Sequence, residues 1–149
     1  MAPFRFRLDR VLEWQVKVCH REEENVRLGQ AAVAETEARI AHLQADCLAA
    51  DHEAKSHKAI PAMDLKALGH FQRKSAQTGR MLAEQRQGRL RDLRERRQKL
   101  WGERQRLELL RKIRERAAGE YNQALERELE AVALDSHLSQ WVQRGQAEG

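Results

Sequence analysis

An all-α fold, a two-helix antiparallel coiled-coil hairpin whose second helix is the longer, follows from three features of the sequence. Residues 90–121 (LRDLRERRQKLWGERQRLELLRKIRERAAGEY) place Leu93, Leu100 and Leu107 seven apart, with Leu90, Leu110 and Ala117 beside them and almost only Arg, Lys, Glu and Gln between. That spacing marks a helix with one apolar seam. A second column of the same period, Leu12, Cys19, Val26, Val33, Ile40, Cys47 and Ala54, runs unbroken through the first half. The stretch SHKAIPAMD around Pro61 separates the two columns, and helices joined by so short a loop fold back on each other.

The elements follow in chain order. Residues 3–7 (PFRFR) read as an extended lead-in, and Asp9 places a negative charge in the first turn of a helix, where it suits the dipole. The first helix covers about residues 8–56. Its companion column, Leu8, Gln15, Glu22, Gly29, Thr36, Leu43 and Ala50, is diluted by polar residues and a glycine, so the middle of the seam is expected to pack loosely. Pro61 cannot donate a backbone hydrogen bond and pushes Ile60 out of helical geometry, giving a loop at residues 57–64 with Asp64 as the expected N-cap.

The second helix covers about residues 65–141, through columns that include Leu65, Leu68, Leu82, Leu93, Leu100, Leu107, Leu110 and Tyr121. Residues 142–149 read as a tail ended by Gly145 and Gly149. The chain as a whole, 1–149, reads as a single coiled-coil domain. A turn centred near Ile60 brings together residues whose numbers sum to about 120, which puts Glu22 opposite Arg96 and Leu100. It also leaves the second helix uncovered beyond about Arg114, with Tyr121, Leu125, Leu129, Val132, Leu138 and Trp141 at helical spacing on the overhang. At 1.5 Å per residue, Gly119 to Trp141 would extend roughly 33 Å.

Composition agrees with long helices and a narrow core: 41% hydrophobic, 34% charged and 5% aromatic, with two prolines in the chain. A formal charge of +5 permits acidic partners. No apolar run has the length of a signal peptide or of a membrane span, which makes the chain a cytosolic protein on this reading. Cys19 and Cys47, 28 residues apart on one helix, lie roughly 42 Å from each other and cannot form an internal disulfide. Both read as small buried hydrophobes.

Little in the sequence resembles a site of chemistry. It offers no glycine-rich phosphate loop, no nucleophile with its base, and no carboxylate pair around a pocket, so the chain reads as a non-enzyme with no cofactor. His52 and His57, five apart, do not share a helix face and read as solvated residues at a helix end rather than metal ligands. From Arg86 to Arg116 there are thirteen Lys or Arg against five Asp or Glu. These cations point in several directions and lack interleaved aromatics for base stacking. A solvated basic face, a dock for an acidic protein and a nucleic-acid surface are the three readings, in that order. Trp14, Trp101 and Trp141 fall off or at the edge of the columns, as partner anchors or as filler at the rim of the seam. Leu65, Leu68 and Phe71 form an apolar patch at the loop end.

Two segments carry a family resemblance. The opening Phe4-Arg5-Phe6-Arg7-Leu8-Asp9-Arg10-Val11-Leu12 and the stretch Leu110-Arg111-Lys112-Ile113-Arg114-Glu115-Arg116 with Tyr121 beyond it resemble the two ends of the FliJ family. Its members are coiled-coil proteins of the bacterial flagellar type III export apparatus. Arg111 stands where the family has an acid and Ile113 where it has Leu. The resemblance implies an antiparallel two-helix stalk seated in the pore of the hexameric export ATPase (FliI-like), promoting ring assembly. It further implies contact with the export gate protein (FlhA-like) and with export chaperones, no nucleic-acid role, and a cytoplasmic location touching the membrane only through the export apparatus. Carried onto this sequence, Leu8, Leu12, Arg114, Arg116, Tyr121, Leu125 and Leu129 would face the ATPase ring, and Leu65, Leu68 and Phe71 the gate. The alternatives are a YscO-like stalk of a non-flagellar type III secretion system and a generic basic coiled coil that dimerises or binds nucleic acid.

Overall fold

The computed structural model describes residues 2–57 and 59–149. Among them there are two α-helices and no strand: α1, Asp9–Ser56, of 48 residues, and α2, Ala62–Ala147, of 86. The fold is the all-α hairpin, with the second helix the longer. Both ends of α2 lie outside the expected bounds. The Leu65 amide donates to the Pro61 carbonyl at 3.0 Å, so Pro61 itself occupies the cap position, where its missing N–H costs nothing. Asp64 is then a first-turn residue acting on the dipole, not the cap. At the far end the helix runs through Gly145 into Ala147, because one glycine costs only about 1 kcal/mol against alanine and no proline follows.

The chain divides into two compact units, Cys19–Gly102 and Met1–Val18 with Glu103–Gly149. In the first, α1 and α2 run antiparallel around a core of Val26, Val33, Leu93 and Leu100, with Leu90 packed against it. These are the column residues of both halves. The register lies one to three above the expected sum of about 120. Arg96 donates to the Asn25 carbonyl, Arg89 to the Ala32 carbonyl and Arg86 to Glu37, pairs whose numbers sum to between 121 and 123. The shift moves Arg96 past Glu22, which instead faces Lys99. The expected Glu22–Arg96 pair is not formed.

The diluted middle of the seam is tightly filled. Gly29 is buried, and a Cβ there would stand 3.1 Å from Leu93 Cδ1 and 3.2 Å from Arg96 Cδ. The missing side chain is what allows the two helices to approach. Thr36 is fully buried and Glu22 is only 2% exposed; each meets a cation from α2.

In the second unit α1 and α2 are again antiparallel. Gln15 is buried and its amide donates to the Glu103 carboxylate at 2.6 Å and to the Glu103 carbonyl at 3.0 Å, while Arg114 lies 3.4 Å from Asp9. Leu107, Val18 and Phe6 are buried here. The lead-in before α1 has no regular structure at residues 2–6 and turns at residues 7–8, and it is docked. Phe6 is part of the core, the Phe4 and Tyr121 rings sit 5.5 Å apart, and the Tyr121 hydroxyl donates to the Ala2 carbonyl at 2.6 Å.

Candidate functional site

All seven residues assigned to the ATPase ring belong to one unit, and they fall into three settings. Leu8 and Leu12 are half-buried in the seam, where the Leu12 amide donates to the Leu8 carbonyl as α1 begins. Arg114 and Arg116 are exposed but engaged, Arg114 with Asp9 across the helices and Arg116 with Glu120 one turn along. Tyr121 is half-buried under Phe4. Leu125 is half-buried and Leu129 is 59% exposed. From Glu126 onward every residue of α2 is exposed.

On a helix of 100° per residue, Tyr121, Leu125, Leu129 and Val132 share an arc of about 80°. They form one apolar stripe, anchored at its start by the lead-in and bare at its end. Stripes of this kind bind by burial rather than by chemistry. Leu134, Leu138, Trp141 and Val142, all exposed, fall on the opposite side of the helix.

At the loop end of the other unit Leu65 is 57% exposed, Leu68 half-buried and Phe71 exposed. A groove of about 530 Å³ opens there, walled by Ala50, Ala54, Ile60, Leu68 and Phe71. Leu68 and Phe71 therefore share one concavity with the end of α1, whereas Leu65 is not part of its lining.

The basic stretch is partly spent within the fold. Arg86 pairs with Glu37, Arg89 reaches Thr36, Arg96 pairs with Asp92, and Arg106 with Glu103. Arg91, Arg94, Arg97 and Lys112 are exposed within about 120° of arc on α2, an arc that Trp101 and Glu108 share. Trp14, Trp101 and Trp141 are each more than three-fifths exposed. Cys19 is buried, Cys47 half-buried, and neither is in a disulfide. His52 and His57 are exposed, and no cluster of three His, Cys, Asp or Glu side chains suited to a metal ion occurs among the described residues.

The Glu22 carboxyl is displaced from its ordinary value. The Asn25 side-chain amide donates to its Oε2 at 3.2 Å, and Lys99 and Arg21 lie 3.4 and 3.8 Å from Oε1. These hold its carboxyl below the usual range against the opposing effect of burial. Oε1 accepts no well-formed hydrogen bond, so the Lys99 ammonium and, at longer range, the Arg21 guanidinium compensate it. The group is structural, inside the seam.

Sequence reasoning missed two things. Phe6, buried, sits in a segment with no periodicity, and its only signal was an aromatic next to the first heptad. Val11 on α1, with Leu109 and Ile113 on α2, are exposed apolar residues outside both columns; a column search passes over them. Among the described residues no helix is long and apolar enough to cross a membrane. No family model, no curated protein and no solved structure matches the chain.

Proposed function

We propose that the chain acts as a FliJ-like stalk of a type III export apparatus, with the Tyr121–Val132 stripe of α2 seated against a hexameric export ATPase (FliI-like). The observation that carries this reading is the stripe itself. Leu125, Leu129 and Val132 continue the apolar face of a helix beyond the residues that α1 and its lead-in cover, and a ring closing around that end would bury it. Leu68 and Phe71, in the groove at the loop end, offer a second contact for an export gate protein (FlhA-like), and Leu65 flanks it. The chain would reach the membrane only through these partners and would escort export chaperones from the cytoplasm. The same geometry would serve a YscO-like stalk in a non-flagellar system, which co-purification of the ATPase from the source cell distinguishes.

Leu125 and Leu129 carry the test. Replacing both by Asp places two charges on the stripe without touching the core, so helicity is expected to persist while stimulation of the ATPase is lost. Undiminished stimulation by the double variant overturns the assignment.

A further inference from the structure

We propose that two copies of this chain associate through α2, antiparallel, along the side of the helix opposite the Tyr121–Val132 stripe. The inference goes beyond the stalk reading and uses different residues. On a straight α-helix the positions 106, 109, 113, 116, 120, 127, 131, 134, 138 and 141 fall within about 100° of arc. All belong to one compact unit, and all are exposed. Leu109, Leu134, Leu138 and Trp141 are each more than half exposed, and Ile113 is 41% exposed. Among the described residues, the apolar side chains of this face are left exposed.

Its sequence is self-complementary. With a two-fold axis between Gln123 and Ala124, antiparallel pairing of the face with itself sets Leu109 against Leu138 and Ile113 against Leu134, each pair occurring twice. The same register sets Glu120 against Arg127, opposite charges on either side of the axis, and brings Arg106 to Trp141, a cation to an aromatic face. In every one of these layers the two members lie on opposite sides of the centre line of the face, which is how the two core positions of an antiparallel coiled coil meet. An isologous interface requires this reciprocity. A parallel pairing would put Arg106 on Arg106 and Glu120 on Glu120.

The first helix supplies a wall. Glu103 accepts from Gln15 across the seam and pairs with Arg106 on α2, which marks one flank of this unit; Asp9 and Arg114 mark the other. Val11 lies one turn from Gln15, Ile113 two turns from Arg106, and Trp14 is on the same flank as Val11. A second α2 laid along Leu109 and Ile113 therefore runs beside two further exposed apolar side chains, Val11 and Trp14, which Leu134, Leu138 and Trp141 of that copy would cover. The Tyr121–Val132 stripe stays free for another protein.

Sedimentation equilibrium of the full chain tests the proposal. The wild type is expected at twice the chain mass of 17.3 kDa, and the Leu134→Glu, Leu138→Glu double variant at once that mass, with its helicity by circular dichroism retained. Charge reversal checks the register without disturbing apolar packing. Glu120→Arg alone and Arg127→Glu alone should each weaken the dimer about tenfold or more, because like charges then meet twice, and the two combined should restore it. With Cys19 and Cys47 replaced by Ala, Ala124→Cys beside the axis should oxidise to a covalent dimer, whereas Leu129→Cys on the opposite stripe should not. A wild type that stays monomeric at its highest soluble concentration, or a dimer insensitive to the charge reversals, overturns the proposal.

Discussion

The Lys99 ammonium lies 3.4 Å from Glu22 Oε1, a carboxylate 98% removed from solvent at the seam between α1 and α2. Lys99 itself is largely exposed, so the cation keeps much of its hydration while the anion gives up nearly all of its own. The Glu22 carboxyl is held below its ordinary value first by the Asn25 hydrogen bond and then by Lys99 and Arg21. A carboxylate with a depressed folded-state pKa contributes stability that is present above the unfolded value of about 4.3 and is lost as pH falls through the folded one. Thermal stability should therefore drop on acidification below about pH 4.5, and Glu22→Gln, which keeps an acceptor for Asn25 and removes the charge, should flatten that drop. Melting curves of both proteins over acidic pH check this; parallel pH profiles would refute the assignment. Lys99→Met, which strips the compensating charge from a buried carboxylate, should cost about 1–3 kcal/mol at neutral pH.

Arg89 makes a second polar layer. Its guanidinium donates to Thr36 Oγ1 at 2.6 Å and to the Ala32 carbonyl at 2.9 Å, and the Thr36 hydroxyl donates to the same carbonyl at 3.0 Å. Thr36 is fully buried, so Arg89→Leu should destabilise by about 1–2 kcal/mol through loss of this charged donor. Combining it with Thr36→Val removes both sides of the layer and should recover most of the loss, since an apolar layer replaces a polar one. The double variant should also lose uniqueness of register, because a polar layer in a seam admits one alignment. A double-mutant cycle in denaturant gives the coupling, and additive losses would sink this account.

The apolar columns carried the fold: Val26, Val33, Leu93 and Leu100 were legible as the core because a seven-residue period needs no knowledge of the partner helix. The register was legible only to within a displacement of about two residues, since a seven-residue period fixes which face is buried and not how far one helix is slid along the other. That displacement is enough to exchange Arg96 for Lys99 opposite Glu22. Polar residues in the column looked like weaknesses for the same reason, their partners lying on the other helix at positions only the exact register reveals. Of the candidate surfaces, the stripe at Leu125 and Leu129 could be read directly from spacing. The docking of Phe4 and Phe6 could not, because an irregular segment repeats nothing.

Gly29 illustrates the point and gives a third prediction. It reads as a defect in the column, yet its α-carbon faces Leu93 so closely that a methyl would meet Leu93 Cδ1 at 3.1 Å. Leu93 is buried and has little room to yield, while Arg96 can swing aside. Gly29→Ala should be close to neutral, the gain of about 1 kcal/mol in helix propensity offsetting the crowding. Gly29→Leu should destabilise by about 1–3 kcal/mol by forcing the helices apart. Chemical denaturation of both variants checks the pair; a stabilised Gly29→Leu would mean the helices are not held at this distance.

Phe6 ties the lead-in to the start of the hairpin. It is buried, its carbonyl accepts from the Asp9 amide at 3.2 Å, and two residues before it Phe4 meets Tyr121, whose hydroxyl holds the Ala2 carbonyl. Truncating Phe6 to Ala removes the burial of an aromatic ring, about 2–3 kcal/mol, from a segment with no helical hydrogen bonds of its own. The loss should be local. Hydrogen exchange at the Asp9 and Leu12 amides should quicken by about tenfold or more, while amides around Val26 and Leu93 keep their protection. Tyr121→Phe should loosen the same segment by less, since it removes only one hydrogen bond at an exposed site. If Phe6→Ala instead lowers protection uniformly along α1, the lead-in is part of the cooperative core rather than a separate clasp on its end.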